Sequence, residues 1–185
     1  MQNTKNRFSA FFTKLNFKSL LKYLPICAIL IAVDQITKLL VNARMEVHES
    51  IPIWPGVFEI CYLQNPFASF NFGQSFPEIF LILVLTFTII FILALIFLMA
   101  RIPFEKKYSC LIVVLILFFS GTVGNFIDRV AYHYVIDFFY FKLINFPIFN
   151  IADIFVVSGA ILFIWTFLFR SKLYEELFPE KKKER

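Results

Sequence analysis

Histidine and cysteine are scarce in this chain of 185 residues. His48 and His133 stand alone, and Cys27, Cys61 and Cys110 are scattered without a C-x-x-C or HExxH pattern. A zinc site gathers three or four ligands, and redox or metal-binding cysteines keep characteristic spacings. No metal or cofactor is therefore expected. The thiols read as buried and inert, the histidines as ordinary surface residues. Linkers, repeats and low-complexity stretches are also missing between residues 20 and 170, so one domain suffices. Charge is nearly missing from four long runs, and that absence shapes everything else.

Hydrophobic residues fill the space. They make up 59% of the chain, above the roughly 45–50% of a soluble globular protein. Four runs approach or exceed the ~20 apolar residues that cross a bilayer: Tyr23 to Val41, Ile79 to Ala100, Tyr108 to Ile127 and Ile151 to Phe169. The expected fold is an all-α membrane protein with four transmembrane helices. A basic segment, 1–22, precedes the single domain at 23–170, and a charged tail, 171–185, follows it. The first run has a basic flank like that of a signal peptide. It lacks a small-x-small cleavage site and continues past Asp34 to Val41, so a retained helix is expected.

The basic residues give an orientation. Fourteen of the 18 Lys and Arg fall before the first run, between the second and third, or after the fourth. The positive-inside rule then puts both termini in the cytoplasm. The pI of about 9.1 reflects this asymmetry and is no argument for nucleic-acid binding. The basic tail suits anionic headgroups, making membrane lipids a partner.

Two outer segments remain. Residues 47–63 mix Ile, Val, Phe and Tyr around Pro55-Gly56, the signature of two short strands joined at a tight turn. This is the expected small extracytoplasmic β element. The segment 131–141, AYHYVIDFFYF, is aromatic and suited to the membrane interface.

Within this apolar frame the acids stand out. An ionised carboxylate near hydrocarbon is costly, and it is kept for chemistry, charge pairing or ion passage. Asp153 is the only charge between Ile151 and Phe169, and Asp137 lies in the connection leading to that run. Asp34 and Lys38 fall roughly 16 and 22 Å into the first helix, four residues apart on one face, where they can pair. That pair either lowers the cost of insertion or helps shape a site. Gly121 and Gly124 allow close helix packing, and Asn125, Asp128 and Arg129 follow them. Asn150 and Asp153 open the fourth helix. Two neighbouring carboxyls that share a proton could hydrolyse a peptide bond, one activating water and the other protonating the carbonyl. Spacing alone does not prove that Asp137 and Asp153 meet. A proton- or cation-conducting protein is the alternative, although helices two and three offer no charged path and transporter sites tend to lie near the midplane.

DQITK (Asp34–Lys38), GNFIDRV (Gly124–Val130), VIDF (Val135–Phe138) and FNIAD (Phe149–Asp153) resemble, in this order, the motifs of the lipoprotein signal peptidases, or signal peptidase II. The resemblance covers about residues 20–170. It implies a bacterial inner-membrane aspartyl endopeptidase that cuts prolipoproteins just before a diacylglyceryl cysteine; a monomer is expected. It assigns catalysis to Asp137 and Asp153. Asn65, Asn125, Asp128, Arg129 and Asn150 become substrate-binding or supporting residues, and Asp34 and Lys38 a mainly structural pair. The chain departs from the family pattern at Phe67, where glycine is usual, and at Ile154, where a small polar residue is common. An inactive, lipoprotein-binding relative is a further alternative.

Overall fold

The computed structural model describes residues 17–66 and 77–169. The basic stretch before residue 17, the charged tail and the departure at Phe67 lie outside the described residues. Four helices are long and apolar enough to cross a membrane. They are α1 (Phe17–Arg44), α2 (Pro77–Arg101), α3 (Ser109–Tyr132) and α4 (Ile151–Phe169). Between them lie β1 (Ser50–Trp54), β2 (Phe58–Asn65) and β3 (Val135–Tyr140), with short 3-10 turns at Lys106–Tyr108 and Lys142–Ile144.

The third helix is the centre of the bundle, touching α1, α2, α4 and β3. Its composition explains why. Ile116, Ser120, Gly124 and Asp128 recur every four residues and are all buried, so one continuous face of α3 is turned inward. Side chains of α2 such as Ile82, Phe87, Ile90 and Leu93 are exposed, as expected of a helix facing lipid.

Small residues set the α3–α4 contact. A Cβ on Gly121 would collide with the carbonyl oxygen of Ala152 and come within 2.8 Å of Val156 Cγ2. Gly124 differs from the sequence expectation in what it admits. A Cβ there would stand 2.5 Å from Asp34 Oδ2, so the missing side chain makes room for a carboxylate as well as a helix.

The strands form an antiparallel sheet in the order β1-β2-β3. Val57 N–H donates to Trp54 O at 2.9 Å, and Gly56 has φ +77°. Pro55 followed by Gly56 thus meets the demands of a type II turn. The segment 131–141 divides into a helix end, a left-handed cap at His133 (φ +66°) and β3. Four consecutive residues of β3, Val135 to Phe138, are buried, because α1, α3 and β2 all pack against this strand. Register pairs Leu63 with Asp137 and Asn65 with Val135.

Two apolar clusters bracket the polar middle of the bundle. One gathers Tyr23, Cys27, Leu95, Met99, Leu111 and Leu115. The other joins Tyr62, Ile136 and Phe138 to Val41, Met45 and Ile151. On α1, Asp34 and Lys38 lie between the residues that feed the two clusters.

Candidate active site

The fourth helix begins with a reciprocal cap. Asn150 Oδ1 accepts the backbone N–H of Asp153 at 2.9 Å, and Asp153 Oδ2 accepts the backbone N–H of Asn150 at 3.1 Å. This is the geometry of a capping box. It leaves Asp153 Oδ1 to accept from Asn125 Nδ2 of α3 at 2.8 Å. The carboxylate is therefore clamped from its own helix and from the next one.

Asp137 is held differently. As part of β3 it is buried, with 3% exposure. Its Oδ1 accepts from Asn150 Nδ2 at 2.7 Å, and its Oδ2 from Asn65 Nδ2 at 2.8 Å. Burial pushes its pKa up to about 7, assisted by the charge of Asp153, while the amides of Asn65 and Asn150 and the charge of Lys38 pull the other way. Asp153 is only partly buried.

Behind this pair lies a second layer. Lys38 Nζ is 2.9 Å from both Asp34 Oδ2 and Asp128 Oδ2, and it donates to Asn125 Oδ1 at 2.9 Å. The pairing of Asp34 with Lys38 expected from their spacing is present, but the pair is not separate from the acid of α3. Asp34 Oδ1 accepts the backbone N–H of Ala152 at 2.9 Å, in the first turn of α4, where a carboxylate complements the helix dipole. Asp128 Oδ2 accepts the backbone N–H of Ile136 at 3.1 Å, while Asn150 Nδ2 reaches the Ile136 carbonyl at 3.3 Å. Arg129 Nη1 donates to Asn125 O at 3.4 Å, and its charge lies in the field of Asp153, Asp137 and Asp128.

All nine candidate residues thus meet in one network. Asn65 sits on β2 beside Val135, and the extended backbone that Pro66 imposes on its predecessor is the conformation the strand uses. Ile154 is exposed, so that departure points away from the acids. Among the described residues, no group of three or more His, Cys, Asp or Glu could hold a metal ion.

One residue of the network was missed. Gln35 Nε2 lies 3.2 Å from Asp34 Oδ2, 3.0 Å from Asp128 Oδ1 and 3.1 Å from the Gly124 carbonyl. Its signal was an amide inside an apolar helix, next to an aspartate. A smaller polar group supports β2. The Tyr62 hydroxyl donates to Asn42 Oδ1 at 2.6 Å, and Gln64 Nε2 donates to the hydroxyls of Tyr62 and Tyr134 at 3.0 and 2.9 Å.

Chemically, the site offers four carboxyls and two cations, with one carboxyl buried enough to retain a proton near neutrality. Such an arrangement can divide acid and base roles between Asp137 and Asp153.

Comparison with known proteins gives this arrangement a family. Residues 26–169 match the sequence model described as Signal peptidase (SPase) II. The lipoprotein signal peptidase of Desulforapulum autotrophicum is 33% identical over 84% of this chain and 96% of its own length. That of Haemophilus ducreyi is 38% identical over 82% and 94%. A bacterial membrane enzyme solved by the in meso method at 2.3 Å resolution superposes with a TM-score of 0.69. It is 28% identical and covers 93% of this chain and 98% of that one. With four apolar helices, this is a multi-pass protein of the bacterial inner membrane, and the chain belongs to the signal peptidase II family.

Proposed function

We propose that this protein is an intramembrane aspartyl endopeptidase that removes signal peptides from prolipoproteins, cutting just before a diacylglyceryl cysteine. Family membership supports the peptidase activity and the prolipoprotein substrate class. The observation that carries the catalytic type is the link between the two acids: Asn150 bonds Asp137 with its amide nitrogen and Asp153 with its amide oxygen and backbone N–H.

In this mechanism the pair shares one proton. Buried Asp137 is its better seat, which leaves the partly exposed Asp153 as the base. Asp153 takes a proton from water as the water attacks the scissile carbonyl, while Asp137 protonates the carbonyl oxygen. The C–N bond then breaks as Asp153 passes its proton to the leaving nitrogen and Asp137 regains its own from the adduct hydroxyl. The pair titrates as a unit. Asn65 and Asn125 hold the carboxyls, and Arg129 balances their charge. The signal helix lies in the bilayer, its lipid chains stay among the acyl chains, and the outer sheet flanks the extended residues around the cut. Both termini face the cytoplasm, the site faces the opposite side, and the enzyme works as a monomer.

The test is cleavage of a synthetic lipopeptide carrying a diacylglyceryl cysteine, with an ion-flux assay in proteoliposomes beside it. Asp137→Asn and Asp153→Asn should each abolish cleavage while leaving the protein in the membrane. Normal processing by either variant would sink the assignment. Ion flux without cleavage would favour the conducting alternative.

A further inference from the structure

Lys38 is 1% exposed and bonds neither Asp137 nor Asp153, yet its chemistry reaches both. An ammonium group has three donors and no acceptor. Its three partners at 2.9 Å are Asp34 Oδ2, Asp128 Oδ2 and Asn125 Oδ1. Asn125 must therefore turn its oxygen toward Lys38, which aims its NH2 group at Asp153 Oδ1. The same oxygen accepts from Asn150 Nδ2 at 3.0 Å. Asn150 is oriented in turn by a second donor-only group, the backbone N–H of Asp153 on its Oδ1. Asn125 and Asn150 are thus each held in one orientation, and each offers N–H to a carboxyl.

We infer that Lys38 is a positioning residue for hydrolysis: it fixes the orientation of Asn125, so that Asp153 always meets a donor and remains the base. This rests on the aspartyl reading above. A structural alternative is charge balance alone, because Lys38 also neutralises Asp34 and Asp128. The charged groups that act on Asp153 are Arg129 from α3 and Asp137 from β3. Neither bonds the side-chain amide of Asn125, a residue that Arg129 meets only at its backbone carbonyl. A donor-only group at position 38 selects one orientation and acts together with the Asn150 amide on the same oxygen.

The two roles separate in a charge-compensated variant. Asp34→Asn with Lys38→Met keeps the charge count and nearly the volume, but removes the donor to Asn125. In the full-length enzyme with the lipopeptide probe, kcat should fall about 10²-fold, the size of effect seen when a reacting group is slightly misplaced. KM should stay within about two-fold, because only transition-state stabilisation is lost. In an Asn125→Ala background the same pair of substitutions should add little further loss, since coupled residues are non-additive. Wild-type kcat in the compensated variant would overturn the proposal, as would an equal loss in both backgrounds. Lys38→Arg, also a donor without an acceptor, should keep more of kcat than Lys38→Met, and an equal loss in the two would overturn it too. If Asp153→Asn still cleaves the probe, the aspartyl reading fails instead.

Discussion

Asn150 and Asp137 are joined by a 2.7 Å bond from the side-chain amide to Oδ1, although one opens a helix and the other lies within a strand. The same amide caps α4 through Asp153. Stability and catalysis therefore draw on opposite ends of one side chain, and substitution can separate them. Asn150→Asp should keep the cap, since Asp serves there as well as Asn, and so retain the melting temperature while losing most kcat. Asn150→Ala should lose both, with about 1 kcal/mol from the cap alone. Lipopeptide cleavage beside thermal unfolding in detergent distinguishes the two.

The raised pKa of Asp137 predicts a pH dependence of stability. Its proton is held more tightly in the folded protein, near 7, than at the ordinary carboxyl value of 3.8. The stabilisation is complete below about pH 4 and is lost as pH rises toward 7. The melting temperature of wild type should fall across that window, and Asp137→Asn should remove most of the slope. Cleavage should decline above about pH 7 as the shared proton leaves.

Asp128 offers the contrast. It accepts the Ile136 N–H and pairs with Lys38 but bonds neither proposed catalytic acid. Asp128→Asn, which can still accept the N–H, should retain part of the cleavage rate that Asp137→Asn loses completely. Asp128→Ala leaves Lys38 and the strand N–H short of a partner and should cost about 1–3 kcal/mol of stability or more. A flat response in both assays would remove Asp128 from the supporting network.

At Gly124 the prediction concerns space. A Cβ 2.5 Å from Asp34 Oδ2 would force the carboxylate off the Ala152 N–H or move α3. Gly124→Ala should destabilise by about 1–3 kcal/mol and lower kcat through the displaced layer. Gly159→Ala meets its nearest atom, Leu117 Cβ, at 3.3 Å and should be much milder. Equal melting temperatures for the two variants would contradict this account.

How legible the site was in sequence depended on range. Asp34 and Lys38 are one helical turn apart, so their pairing followed from spacing alone. Their link to Asp128 and Asn125 did not, because it requires the α1–α3 contact that Gly124 permits. The helices were visible as apolar runs, but their ends were not: α1 extends to Arg44 and α3 to Tyr132, where polar residues continue a hydrogen-bonded turn. The third strand was hidden for a different reason. A half-buried strand alternates apolar and polar, whereas Val135 to Phe138 are buried on both faces and read as an aromatic interfacial segment. Gln35 was overlooked because an uncharged amide carries less electrostatic weight than the aspartate beside it.

The closed edge of β3 has a consequence for how a peptide can lie there. On the side away from β2, the N–H of Ile136 is already taken by Asp128 and its carbonyl by Asn150. Phe139 exchanges both of its backbone bonds with Phe149. An incoming chain cannot extend the sheet at these positions as strand-adding peptides do elsewhere. A peptide resting along this edge gains nothing from its own main-chain pattern there, so its grip must come from side chains.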